Sequence, residues 1–137
     1  MDVPPVCVAL GLEPHPEGGW YRQTWRSPES VTLPDGRVRP TATLIHFFLA
    51  AGESSAWHRV ASDEVWLAHS GNVRLQHGGA ADRPVDGPEE VLGTGTGASA
   101  QVVVRAGEWQ RTLPGHADAL VSCLVSPGFD FADFELA

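Results

Sequence analysis

The ten residues TATLIHFFLA, Thr41 to Ala50, constrain the fold of this chain more than any other stretch. In an extended chain alternate side chains point to opposite faces, so Ile45, Phe47 and Leu49 take one face and Leu44 and Phe48 the other. Both faces are then apolar. A strand of this kind is stable where it is covered on both sides, as in the wall of a sandwich or barrel. WYRQTWRS (Trp20 to Ser27) alternates in the same manner, and DEVWLAHSG and NVRLQH read as two more strands joined by a turn at Ser70-Gly71-Asn72. AQVVVRAGEWQRT and ALVSCLVS continue the pattern, and PDG (Pro34 to Gly36) turns a hairpin-like excursion. PPVCVALGL fits one short helix, with proline tolerated in its first turn and Gly11 near its end. PHPEGG (Pro14 to Gly19) and DRPVDGPEE read as breaks. GTGTG (Gly93 to Gly97) has neither the following helix nor the Lys-Ser/Thr of a phosphate loop and reads as a connection. The expectation is an all-β sandwich or barrel with a short N-terminal helical segment, in one domain spanning residues 1–137.

Charge narrows the partners. Seventeen acidic residues against nine basic ones give a formal charge of −8, which argues against general nucleic-acid binding, where a basic face must neutralise phosphates. All nine bases are arginines and the sequence contains no lysine, so lysine Schiff-base chemistry is excluded. Cys7 and Cys123 fit no CxxC or zinc spacing and sit among apolar residues, as buried thiols in a reducing compartment do. The first residues lack the basic region of a signal peptide. No stretch approaches the roughly 18 apolar residues of a membrane span. A cytoplasmic protein with no membrane partner is expected.

The chemistry concentrates in GESSAWHRVASDEVWLAHSG, Gly52 to Gly71. His58 and Glu64 lie between two glycines suited to sharp turns, and neighbouring strand segments would aim them into one concavity. An imidazole beside a carboxylate can hold a divalent metal or exchange protons with a substrate. The plain alternative is a hydrogen-bonded pair that steadies a barrel mouth.

The spacing resembles the first cupin motif: glycine, five residues, His-x-His, three or four residues, glutamate, six residues, glycine. Gly52, His58, Glu64 and Gly71 match, and Val60 stands where the second histidine belongs. RAGEWQ resembles the second motif, Pro-x-Gly-x-x-His, with Gly107 matching, Arg105 in the proline position and Gln110 in the histidine position. LGLEPHPEGGWYRQTWRS, WHRVASDEVW, VRAGEWQ and VSPGFDFADFEL together are similar to the cupin-5 family, formerly a domain of unknown function, DUF985. The resemblance implies a cupin double-stranded β-helix (an RmlC-like jelly roll) that pairs into homodimers, and an open sheet edge agrees with pairing.

These residues set the functional expectations. His58 and Glu64 are the candidate acid/base groups, with Gln110 as a weak third ligand if a metal is held. Losing two of four usual ligands predicts either no cofactor or a weakly held divalent metal. Trp66 shares the Glu64 face and is a candidate pocket wall. Tyr21 is a candidate proton donor, Arg59 or Arg22 a candidate oxyanion anchor, and His46 a further candidate ligand. His15, His69, His77 and His116 are expected at the surface. The leading reading is a small enzyme of the isomerase, epimerase or lyase kind, moving protons on a polar, carbohydrate-like or acidic small molecule. A non-catalytic ligand- or metal-binding sensor or carrier is the alternative. A metal-dependent oxygenase comes third, disfavoured by Val60 and Gln110.

Overall fold

A computed structural model describes residues 2–137. Its elements are α1 (Pro5–Leu10), β1 (Glu13–Pro14), β2 (Trp20–Arg26), β3 (Ser30–Thr32), β4 (Val38–Pro40), β5 (Thr43–Leu49), β6 (His58–Val60), β7 (Asp63–Ser70), β8 (Val73–His77), β9 (Glu89–Leu92), β10 (Gln101–Val104), β11 (Gln110–Leu113), β12 (Ala119–Ser126), a 3-10 turn (Phe131–Asp133) and β13 (Phe134–Leu136). Six strands form one sheet in the order β1-β2-β5-β12-β7-β10, and five form the facing sheet, β13-β6-β11-β8-β9. The β3–β4 hairpin stands apart as a two-stranded ribbon.

The two-sided pattern of Thr41 to Ala50 is explained by β5. Its inner face sends Phe47 and Leu49 into a core shared with Trp66, Val73, Leu75, Leu92, Val102, Val104, Val121 and Cys123. Its outer face sends Phe48 against Trp20, Leu12 and Cys7, with Val6 and Leu10 of α1 packed alongside. The short helix therefore exists to cover one end of the outer face. Gly11, at φ +68°, ends it in the left-handed conformation.

Three elements depart from the sequence reading. AQVVVRAGEWQRT is two strands, not one. β10 lies in the six-stranded sheet and β11 in the facing one, and Gly107 at φ +79° lies in the turn that crosses between them. PHPEGG is less broken than expected, because Pro14 pairs with Trp20 in the β1–β2 ladder. Glu89 and Glu90, read as loop, belong to β9 and pair with Gln76 and Leu75.

Farther along, the outer face of the six-stranded sheet is uncovered. Trp25, Leu44, Leu124, Val65 and Val103 stand directly opposite one another across β2, β5, β12, β7 and β10. Trp25 is 46% exposed and Val103 54%. Among the described residues no helix is long and apolar enough to cross a membrane.

Candidate active site

The sandwich leaves a cavity of about 300 Å³ at one end. Strand parity supplies most of its walls. Tyr21 and Gln23 of β2, Thr43 and Ile45 of β5, His58 and Val60 of β6, Glu64 of β7 and Val125 of β12 all face inward. Two irregular segments complete it. His15 and Glu17 come from the loop before β2, and Phe129, Asp130, Phe131 and Phe134 from the C-terminal segment. The first loop is held by close approach: a Cβ on Gly18 would lie 2.4 Å from the Ser54 carbonyl oxygen. The second is clamped by the β3–β4 ribbon, where Arg39 donates to both Asp133 oxygens at 2.8 and 3.0 Å. Arg37 adds a contact to the same carboxylate at 3.1 Å. Phe129, Phe131 and Phe134 then pack edge to face with one another, and Phe134 stacks on the His58 ring at 5.7 Å.

His58 is the electrostatic centre. Its Nδ1 donates to the Ala56 carbonyl at 2.7 Å, which leaves Nε2 to face the cavity. There Nε2 meets Glu17 Oε2 at 3.0 Å, with both side chains at least nine-tenths buried. The contact is close but lies outside hydrogen-bond geometry, so Glu17 Oε2 has no hydrogen-bond partner in the protein. The attraction is ionic, and the oxygen keeps lone pairs free. Burial pushes the His58 pKa down, but the charge and contact of Glu17, the charge of Glu64 and the Ala56 carbonyl outweigh it and raise it to about 9. His58 is therefore an imidazolium at neutral pH. His15 goes the other way. Burial lowers its pKa, against the pull of Glu17 and with the repulsion of His58. Its Nδ1 accepts from the Glu17 backbone N–H at 3.1 Å, which places the proton of the neutral ring on Nε2.

Glu64 is fixed by a relay. The Trp66 indole N–H donates to Gln110 Oε1 at 2.9 Å, and Gln110 Nε2 donates to Glu64 Oε1 at 2.9 Å. An indole can only donate, so the Gln110 oxygen must face Trp66 and its NH₂ must face Glu64. Burial raises the Glu64 pKa, opposed by the charge on His58 and reinforced by that on Glu17. Its carboxyl pKa is thus held above the ordinary carboxylate value.

Of the expected residues, His58, Glu64 and Tyr21 line the cavity, Gln110 stands behind Glu64, and Trp66, Arg59, Arg22 and His46 lie elsewhere. His58 and Glu64 project from the successive strands β6 and β7 into one cavity, and they do so from facing sheets, because the chain crosses over at Ala61 and Ser62. Trp66 does share the Glu64 face, yet it lies in the core at 1% exposure and acts on the cavity through Gln110. Arg59 alternates with His58 and Val60 and so points outward, over the Trp109 ring and onto Glu135. Arg22 and His46 are paired on the outer face, with Arg22 bonded to the Leu10 carbonyl. His46 stands near His69 there. Applying the alternation already used for β5 to β2 and β6 would have excluded all three. His69 and His116 are exposed as expected. His77 is half-buried on β8 between Glu90 and Glu108.

Glu17 and His15 were missed. His15 is 8% exposed rather than at the surface, with its ring edge-on to Tyr21 at 4.5 Å. Their signal was the segment HPEGG itself. A carboxylate between proline and two glycines sits on a backbone shaped to carry it somewhere, and the quoted resemblance already included it.

As a metal centre the donors do not converge. Gln110 presents hydrogens, not its oxygen, toward Glu64. Val60 fills its place with methyl groups at 5% exposure. The free His58 nitrogen is occupied by Glu17. Among the described residues, no three histidine, cysteine, aspartate or glutamate side chains group as metal ligands. The residues present therefore do not fit a tightly held ion.

Two facing antiparallel sheets that exchange strands around an end cavity define a cupin, a double-stranded β-helix. The chain belongs to the Cupin superfamily (DUF985) family, which it matches over residues 6–137. A hypothetical protein from Leishmania major is 33% identical with a TM-score of 0.85, covering 96% of this chain and 84% of that one. Protein SO0799 from Shewanella oneidensis is also 33% identical, with a TM-score of 0.80 and coverage of 96% and 82%. An uncharacterised protein with a double-stranded β-helix domain from Klebsiella pneumoniae shares the fold at 16% identity, with a TM-score of 0.62 and coverage of 95% and 93%. No curated protein matches the chain.

The charge assignment has a direct test. In an NMR titration the His58 ring should stay protonated through pH 8 and titrate near 9, and Glu17→Gln should lower that value by about one unit or more. Since the folded value lies above the ordinary 6.5, the pair stabilises the fold fully below pH 6.5 and loses that contribution as pH rises through about 9. A wild-type His58 titrating between 6 and 7 would contradict the assignment.

Proposed function

We propose that this protein is a small-molecule enzyme that moves protons without redox chemistry, of the isomerase, epimerase or lyase kind. The observation that supports it most is an imidazolium and a buried carboxyl group lining one cavity. His58 is held as an acid, and burial raises the Glu64 pKa above the ordinary carboxylate value. Glu64 in its ionised form takes a proton from a carbon next to a carbonyl. The His58 imidazolium, its Nε2 against Glu17, stabilises from the cavity wall the negative charge that develops on the carbonyl oxygen, and return of the proton to the same or a neighbouring carbon completes the turnover. Glu17 sets the charge of His58, and the Trp66–Gln110 relay fixes Glu64. The oxyanion anchor in this reading is His58, since Arg22 and Arg59 point away from the cavity. Of the two substrate kinds, carbohydrate-like and acidic, the lining favours the first. Glu17, Glu64 and Asp130 face the cavity, and among the described residues no arginine lines it.

A non-catalytic carrier is supported by one feature. His58, held between Ala56 and Glu17, keeps its proton so firmly that it also suits a fixed binding charge. Proton exchange separates the two readings. With a panel of aldoses and ketoses in D₂O, the wild type should wash out the signal of the hydrogen next to the carbonyl of its substrate. Glu64→Gln should slow this by about 100-fold or more. Binding without exchange anywhere in the panel would favour the carrier.

The same proposal places the protein in the cytoplasm as a homodimer. Two buried cysteines that remain free thiols support a reducing compartment. The uncovered row Trp25–Leu44–Leu124–Val65–Val103 supports pairing through a sheet face, since contiguous exposed apolar patches mark interaction sites. The edges offer less, because β1 has two residues, β13 three, and β9 and β10 four each. Sedimentation should give about twice the chain mass of 14.6 kDa, and Val103→Glu should shift it toward the single-chain value. A wild-type mass of one chain would end this part of the proposal.

A further inference from the structure

The cavity reads as a site for a particular charge. Its lining carries three acidic side chains, Glu17, Glu64 and Asp130, against one cation, His58, which Glu17 already matches at 3.0 Å. The sequence holds no lysine, and among the described residues no arginine reaches the lining. A ligand that is itself an anion therefore meets no cation beyond His58, whose charge Glu17 already matches. A cation meets the reverse. The independent sign is Glu17 Oε2, buried and without a hydrogen-bond partner. A buried carboxylate oxygen left unpaired is costly, and a donor arriving from the cavity relieves it. Aromatic rings, Tyr21, Phe129, Phe131 and Phe134, line the same cavity, Phe134 against His58 and Tyr21 against His15. The edge-to-face packing of the three phenylalanines orients their rings differently from one another, so the wall offers π-electron density as well as apolar area. Cations are attracted to such faces, more strongly once desolvated.

We infer that the ligand is a protonated amine carried on a ring-sized apolar or hydroxylated body, its N–H groups donating to Glu17 Oε2 while the body lies against Tyr21 and the phenylalanine cluster. A carboxylate accepting from an ammonium gives a charge-assisted bond of the stronger kind. The site is small enough that one amine and one ring fill much of it. This deepens the functional proposal, resting on its reading of the cavity as the ligand site but not on catalysis.

Three probes of equal shape and different charge test it: cyclohexylamine, cyclohexanol and cyclohexanecarboxylate, each titrated at pH 7.5 and followed by chemical-shift changes of the His58 and phenylalanine rings. The amine should bind tightest, about tenfold above the alcohol, with the carboxylate weakest. Added salt should narrow the gap only slightly, because the charge pair is buried. Glu17→Gln should bring the amine down to about the affinity of the alcohol. The wild-type ranking stands as a test even if that variant folds poorly. An alcohol that binds as well as the amine would overturn the inference while leaving the cavity as a ligand site. A carboxylate that binds tightest would overturn it and make His58 an anion anchor. Failure of all three to bind at millimolar concentration would overturn both the inference and the reading of the cavity beneath it.

Discussion

The site depends on one buried contact, His58 Nε2 to Glu17 Oε2 at 3.0 Å. Neither ion is stable in that place alone. A lone imidazolium at 2% exposure would give up its proton, and a lone buried carboxylate would take one up. Together they keep a charged group in an apolar wall and fix which way it points. The contact also joins parts of the chain that the strand ladders do not join, since Glu17 rides on the loop before β2 while His58 begins β6 in the facing sheet. The β2 loop, the cavity floor and the C-terminal phenylalanines over His58 therefore form one cooperative unit.

Val60 and Gln110, the two departures from the usual cupin motifs, stand around the same cavity. A second histidine at Val60 and another at Gln110 would make a converging set of neutral nitrogen donors for a metal. Here Val60 contributes methyl groups, and Gln110 spends its oxygen on Trp66 and its NH₂ on Glu64. The positive charge that a metal would supply is carried instead by His58, and the carboxylate that sustains it comes from outside both motifs.

Much of this was legible in the sequence. The two-sided apolar pattern of β5 led to a sandwich, and the Gly52–Gly71 spacing led to His58 and Glu64, because turns and parity act over a few residues and leave a local trace. Arg22, His46 and Arg59 were misplaced although the trace was there, since each alternates with an inward-facing neighbour. Trp66 shows the limit of parity. It names a face but not a depth, and depth separates a pocket wall from a core residue that acts through Gln110. Glu17 and His15 were hidden for another reason. They lie on an irregular loop whose course is set by contacts distant in sequence, such as Gly18 against Ser54, and no local periodicity reports such contacts.

The central claim is that Glu17 and His58 act as a pair rather than as two independently tolerated buried groups. A double-mutant cycle measures this directly, using urea unfolding at pH 7 of the wild type, Glu17→Gln, His58→Asn and the double variant. Each single change strands its partner and should cost about 3 kcal/mol, and the double variant should recover about 2 kcal/mol or more of the summed loss. Single effects that simply add, to within about 0.5 kcal/mol, would mean that the two side chains are neighbours without being partners, and the account of the site built on them would be wrong.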